Sequence, residues 1–261
     1  MGNAPGSLVV VGSGITAVAH ITDESRQEIE SADKVYYGLA DDVTALWIRS
    51  LNPTAETLYT FYGDGTPRLE SYARMVDLIT SRVREGQRVC AVFYGHPGVF
   101  VNASHDAVRL LRTEGYEARM LPAVSAADCL FADLGIDPAA TGCRMYEATD
   151  FLAAGRAADP TASLILWQVG VVGAPGFSLS GTGHPWLPDL VSRLEQTYGP
   201  DFEVVVYEAA QFTVSAPRVD RVPLRELCDT PLSGISTLYV PPAENPQVGV
   251  GTDSIAAGVD S

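Results

Sequence analysis

Apolar positions fall into short dense runs, separated by glycine turns and by stretches with helical spacing. Residues 8–11 form a β-branched run that stops at Gly12-Ser13-Gly14, residues 33–37 read as a second strand, and residues 89–94 read as a third that Gly95-His96-Pro97-Gly98 ends. Between the first two, residues 20–32 are rich in helix formers. Leu69, Tyr72, Met75, Val76 and Ile79 recur at the interval of an amphipathic helix over residues 67–83, with Arg68 and Tyr72 on one face near its start. A helix from about His105 and a strand over residues 117–121 complete the first half. Strands that end in glycine turns and alternate with helices predict an α/β fold with a largely parallel sheet and ligand sites at the strand C-termini.

A boundary near residues 119–122 divides the chain into an N-terminal α/β domain (1–120), a C-terminal α/β domain (121–243) and a flexible tail (244–261). The second half opens on Val124-Ser125-Ala126 and a helix through Leu134, and offers strands at 163–172, 203–208 and 236–240. Residues 173–188, rich in glycine, proline and serine, read as a long loop. The tail has no aromatic residue, and its large apolar residues are Val248, Val250, Ile255 and Val259.

Composition narrows the partners. The 261 residues include 32 acidic and 17 basic side chains, for a net charge of -15, and Lys34 is the sole lysine. The arginine groups Arg82, Arg84, Arg88 and Arg218, Arg221, Arg225 make no continuous stripe, so no nucleic-acid partner is expected. With 46% hydrophobic residues the chain folds. No run approaches the ~18 apolar residues of a membrane span, and the N-terminus lacks a charged segment ahead of an apolar one, which predicts a cytoplasmic protein without a membrane partner. Cys90, Cys129, Cys143 and Cys228 form no CxxC pair and the histidines no HxxxH pair, so neither a disulfide framework nor a metal site is expected. Cys90 and Cys129, in apolar runs, read as small buried hydrophobes.

Three segments could carry chemistry. Gly12-Ser13-Gly14, with Ala17 following, resembles a dinucleotide loop, but Asp33 precedes the next strand where a ribose-binding acid would close it; a structural turn is the better reading. Residues 93–100, FYGHPGVF, make a crevice loop in which backbone can approach a ligand, with Tyr94 and His96 beside it. Residues 59–72, YTFYGDGTPRLESY, would bring Tyr62, Arg68 and Tyr72 together if the glycine turn folds back over the helix. A guanidinium beside a tyrosine favours the phenolate, and such a cluster can act as a base; aromatic packing is the alternative.

GSLVVVGSGI, FYGHPGVFVNASH, MLPAVSAADCLFADLGIDP, LWQVGVVG and GISTLYVPP together resemble the tetrapyrrole methylase superfamily, and within it the borosin peptide backbone α-N-methyltransferases. The likeness spans about residues 6–242, and YGDGTPRLESY is the part that points to borosin enzymes. It implies two α/β domains with S-adenosylmethionine in the interdomain cleft, and moves the GSGIT loop to the substrate side of that cleft. By motif, the cofactor would meet Tyr94, His96, Val99, Phe100, Ser125, Ala126, Gln168, Tyr207, Ala209, Ser236 and Thr237. Tyr62, Arg68 and Tyr72 would be catalytic, with Tyr94 beside the methyl donor, and either Tyr62 or Tyr72 would serve as base.

The resemblance further implies a homodimer that binds two precursor peptides as a heterotetramer. With 19 residues after Pro242, the expectation is a precursor supplied in trans, docking through a basic region that complements the acidic enzyme. Alternatives are methylation of its own tail, a porphyrinoid C-methyltransferase, an RNA 2′-O-methyltransferase, a catalytically silent precursor-binding partner and an NAD oxidoreductase. The charge opposes the RNA reading, and the porphyrinoid reading leaves Tyr62, Arg68 and Tyr72 without a task.

Overall fold

The computed structural model describes residues 5–39, 41–61, 68–174 and 184–243. The first half is β1 (Ser7–Gly12), α1 (Asp23–Ser31), β2 (Lys34–Gly38), α2 (Asp42–Leu51), β3 (Glu56–Thr57), α3 (Arg68–Arg84), β4 (Arg88–Phe93), α4 (Asn102–Thr113) and β5 (Glu117–Met120). Its sheet has the order β3-β2-β4-β1-β5 with every pair parallel. Because strand side chains alternate, Leu8, Val10, Val89, Ala91 and Phe93 bury against α3 and α4, whereas Val11, Val35, Tyr37, Cys90 and Val92 bury against α1 and α2. Both faces are covered, as a parallel sheet requires, and the uninterrupted apolar runs follow from that.

The second half is α5 (Ala126–Leu134), α6 (Pro138–Thr141), β6 (Cys143–Glu147), α7 (Ala148–Ala153), β7 (Ser163–Trp167), α8 (Leu187–Tyr198), β8 (Glu203–Glu208), β9 (Arg218–Pro223) and β10 (Thr237–Val240). The expectation of largely parallel pairing fails here: the order is β6-β7-β10-β8-β9, and only β6 and β7 run parallel. β10 enters antiparallel between β7 and β8. Leu164, Leu166, Val204, Val206, Leu238 and Val240 face α7 and α8, while Ile165, Trp167, Val205, Tyr207 and Tyr239 face α5.

Two boundaries also differ from the sequence reading. The strand beginning at Ser163 ends at Trp167, because Gln168 takes a left-handed φ of 57° and Val169–Val171 coil into a 3-10 turn. The loop after Gly173 gives way to α8 at Leu187, where Pro188 sits in the first turn; its missing N–H would have had no helical acceptor there. The expected tail, residues 244–261, lies outside the described residues.

Candidate functional site

The C-terminal ends of the parallel strands and the ends of β6 and β7 open onto one cleft of about 550 Å³, a volume in the range of small-molecule sites. Gly38, Phe93 and Tyr94 line it from the ends of β2 and β4, with Tyr72 and Met75 from α3 and Tyr59 from the turn before it. Val99, Phe100 and Val101 come from the loop after β4. Glu147, Thr149, Gln168 and Val171 come from the second half.

The crevice loop is built by close backbone approach. Ser13 N–H donates to the Phe93 carbonyl at 2.8 Å, and Gly14 and Gly95 exchange backbone hydrogen bonds of 3.3 and 3.0 Å. A Cβ on Gly12 would stand 2.1 Å from the Gly95 carbonyl oxygen, so that approach needs glycine. His96 accepts the Gly98 N–H on Nδ1 at 2.9 Å, which folds the loop and presents the exposed Val99 and Phe100. Phe100 has a φ of 57°, unusual for a residue with a side chain, and its ring meets Trp167 edge-on at 5.9 Å between centroids.

Of the residues named from sequence, Tyr72, Tyr94, Val99, Phe100 and Gln168 line the cleft. Several of the others are engaged within the fold. Ser125 caps α5: its hydroxyl accepts from Asp128 N–H at 3.3 Å, while the Asp128 carboxylate accepts Ser125 N–H at 2.7 Å. Tyr207 is buried and donates to Asp133 Oδ2 at 2.6 Å. Ser236 donates to Glu208 Oε1 at 2.5 Å, its carbonyl accepts Val169 N–H at 3.1 Å, and buried Thr237 pairs with Tyr207 across β8 and β10. Ala126 and Ala209 are half-buried beside that sheet face. Tyr62 and the side chain of Arg68 lie outside the described residues; the backbone of Arg68 opens α3.

Burial, reinforced by Cys129, pushes the Tyr94 hydroxyl up to about 12, although a Gln211 hydrogen bond pulls the other way and 36% of the residue is exposed. Burial likewise raises Tyr59, with contributions from Tyr72 and Asp41. At neutral pH both are protonated donors. Glu147 keeps its carboxylate at the cleft by capping α7, accepting from Asp150 N–H at 2.8 Å and the Thr149 hydroxyl at 2.9 Å. Sequence reasoning missed Tyr59, Glu147 and Thr149. Tyr59 had a signal, since it opens the tyrosine-rich segment; the other two sit on β6 and α7, which have no strong periodic pattern of their own.

A glycine-built crevice between two α/β halves, lined by protonated tyrosines and a carboxylate, defines a small-molecule-binding α/β protein whose chemistry sits at the strand ends. The chain belongs to the Tetrapyrrole (Corrin/Porphyrin) Methylases, which it matches over residues 7–227. It is 44% identical over 243 residues to a methyltransferase/ribosomally synthesized cyclic peptide gymnopeptides precursor of Gymnopus fusipes. That match covers 92% of this chain and 58% of the relative, so the chain spans little more than half of the relative's length. A methyltransferase/ribosomally synthesized type III borosin cyclic peptide precursor of Anomoporia bombycina is 44% identical over 245 residues, covering 92% of this chain and 28% of the relative. The same fold occurs in uroporphyrin-III-C-methyltransferase from Thermus thermophilus, with a TM-score of 0.63 at 20% identity, covering 92% of this chain and 93% of the other.

Proposed function

We propose that this chain transfers methyl groups from S-adenosylmethionine to backbone amide nitrogens of a precursor peptide. The observation that carries this reading is the meeting of Tyr72 and Tyr94 with Phe100 and Gln168 in one cleft of a chain 44% identical to a methyltransferase/cyclic peptide precursor. The cleft suits the cofactor's charge. Aromatic rings at Tyr94 and Phe100 and the Glu147 carboxylate favour a sulfonium, and Gly38 leaves room where a Cβ would come within 3.2 Å of the Phe93 ring. Tyr94, His96, Val99, Phe100, Ser125, Ala126, Gln168, Tyr207, Ala209, Ser236 and Thr237 would hold the cofactor, which when bound supplies an electrophilic methyl carbon on sulfur.

An amide nitrogen is a poor nucleophile because its lone pair is delocalised into the carbonyl. Removing the N–H proton restores its nucleophilicity, and Tyr72 or Tyr62 takes that proton as the general base. Arg68 favours the phenolate and offsets charge on the amide oxygen. Tyr94, held protonated, acts as a hydrogen-bond donor and not as the base. With the cofactor bound, the cleft walls would restrict how the substrate amide can lie, and orientation of this kind can contribute on the order of 7 to 11 kcal/mol.

Intact-mass measurement after incubation with cofactor, with and without a candidate precursor peptide, tests the reading. Added methylene masses on the peptide's backbone are expected. Added mass on residues 244–261 of the chain itself would instead identify a self-modifying enzyme. No added mass on either, with cofactor bound, would overturn peptide methylation.

A further inference from the structure

Facing the cleft loop across the molecule is a second constellation that the mechanism above does not use. His20 is half-buried at the end of the loop that follows β1, and its Nδ1 accepts two backbone N–H groups at once, Thr16 at 3.1 Å and Ile15 at 3.4 Å. Accepting there requires a lone pair on Nδ1, so the ring is neutral with its proton on Nε2. The loop it closes is tightly wound. Gly14 has a φ of 69°, and a Cβ there would stand 2.1 Å from the Cβ of His20; Val18, a β-branched residue, is held at a φ of 62°. A β-branched residue in the left-handed region persists only where its surroundings over-determine it, and the imidazole clamp is one such restraint.

The clamped loop reaches the other half of the chain. The Thr16 hydroxyl donates to the Ala210 carbonyl at 3.0 Å, and Ala17 N–H donates to the Gln211 carbonyl at 2.8 Å. Residues 210–211 are thereby held from the loop by two hydrogen bonds. Gly14 is also the residue that exchanges backbone bonds with Gly95, next to Tyr94. The clamped loop therefore ties residues 210–211 on one side and, through Gly14 and Gly95, the backbone beside Tyr94 on the other.

We infer that His20 is a positioning residue: by clamping the loop over residues 14–20 it fixes residues 210–211 and, through the Gly14–Gly95 pair, the backbone that carries Tyr94. Its consequence for turnover rests on the methyl-transfer reading; its consequence for the loop does not. Leucine at 20 fills similar space without an acceptor and leaves two N–H groups unpaired, whereas asparagine keeps a short side chain with an acceptor.

Backbone hydrogen exchange and steady-state kinetics on the full chain test this together. In H20L the Thr16 and Ala17 amides should lose protection, kcat/KM for peptide should fall about tenfold, and H20N should recover to within about threefold of wild type. T16V, which removes the bond to Ala210 while leaving the clamp, should lower kcat/KM in the same sense with Thr16 still protected. Cofactor Kd should rise by less than kcat/KM falls in all three, because His20 and Thr16 do not line the cleft while Tyr94, which does, keeps its side chain. Wild-type protection of Thr16 and Ala17 in H20L, or equal turnover of H20L and H20N, would overturn the inference. If H20L fails to fold, wild-type turnover in T16V overturns it on its own. A wild-type enzyme that turns over no peptide would count against the methyl-transfer reading alone, since the exchange pattern is measured without substrate.

Discussion

The two sheets meet one cleft by different means. In the first, all strands are parallel, so the ends of β1, β2 and β4 lie on the same edge and their turns converge there without further arrangement. In the second, β10 runs antiparallel between β7 and β8, which places the start of β10 beside the ends of its two neighbours: Leu238 pairs with Leu166 and Thr237 with Tyr207. Ser236, Thr237, Gln168 and Tyr207 are thereby gathered on one edge from three separated segments. The parallel half delivers tyrosines on the loop and helix beyond its strands. The mixed half delivers a shelf of strand ends tied by hydrogen bonds, with Glu208 accepting from Ser233, Ser236 and Arg218. On the proposed reading, proton transfer belongs to the first half, while cofactor binding is shared between its crevice loop and the shelf of the second.

Tyr72→Phe is the strongest way to break that division. It should lower kcat by about 100-fold or more, the usual range for loss of a general base, with cofactor Kd unchanged. Calorimetric titration of the cofactor alongside single-turnover kinetics checks both halves of the statement. A rise in cofactor Kd matching the loss of turnover would mean that Tyr72 itself binds the cofactor and is not the base.

The complementary experiment is Glu208→Ala. It removes the shared acceptor of Ser233, Ser236 and Arg218, whose guanidinium keeps Asp220 and the Pro231 carbonyl, and should cost about 1 to 2 kcal/mol of stability. Cofactor affinity should fall with it, because Ser236 and Thr237 lose their anchor. Urea denaturation and cofactor titration are the measurements. Unchanged affinity in a destabilised protein would detach the shelf from the cofactor.

Ser125 divides the same two roles at a single residue. Ser125→Ala abolishes the reciprocal cap with Asp128 at the start of α5 and should cost about 1 kcal/mol by denaturation. Added cofactor should stabilise the variant by the same increment as wild type if the backbone makes the cofactor contact, and by less if the hydroxyl does.

Which parts of this arrangement could be read from sequence follows from the same contrast. Buried parallel strands such as β1 and β4 are continuous apolar runs, and their glycine turns announce themselves, so Tyr94 and His96 were visible as a pair beside a crevice. β9 alternates exposed Val219 and Arg221 with half-buried residues and β6 is half open, so neither has a pattern that stands apart from a loop. α2 was also missed, although Asp41 caps it and accepts Thr44 N–H at 2.7 Å; its exposed Val43 and Leu46 blur the amphipathic pattern. The pairing of β10 between β7 and β8 joins residues 30 or more apart along the chain, which no local signal encodes. The His20 clamp was equally silent, because it depends on a left-handed Val18 that sequence does not reveal.

The smallest expected effect concerns the donor role of Tyr94. Its hydroxyl titrates at about 12 in the folded chain against an ordinary value of 10.0, so the folded state holds the phenolic proton more tightly than the unfolded state does. Between those two values the unfolded chain binds fewer protons, and stability must fall as pH rises; below the ordinary value the contribution is fully present. Partial exposure of Tyr94 makes its share of that slope shallow. Buried Tyr207 and Tyr239 are raised as well and contribute in the same direction, so the informative quantity is the difference between wild type and Tyr94→Phe. Denaturation midpoints should decline less steeply in alkali for the variant. Identical declines would place the Tyr94 hydroxyl in a solvent-like setting, and the assignment of proton transfer to Tyr72 or Tyr62 alone would then lose its main physical support.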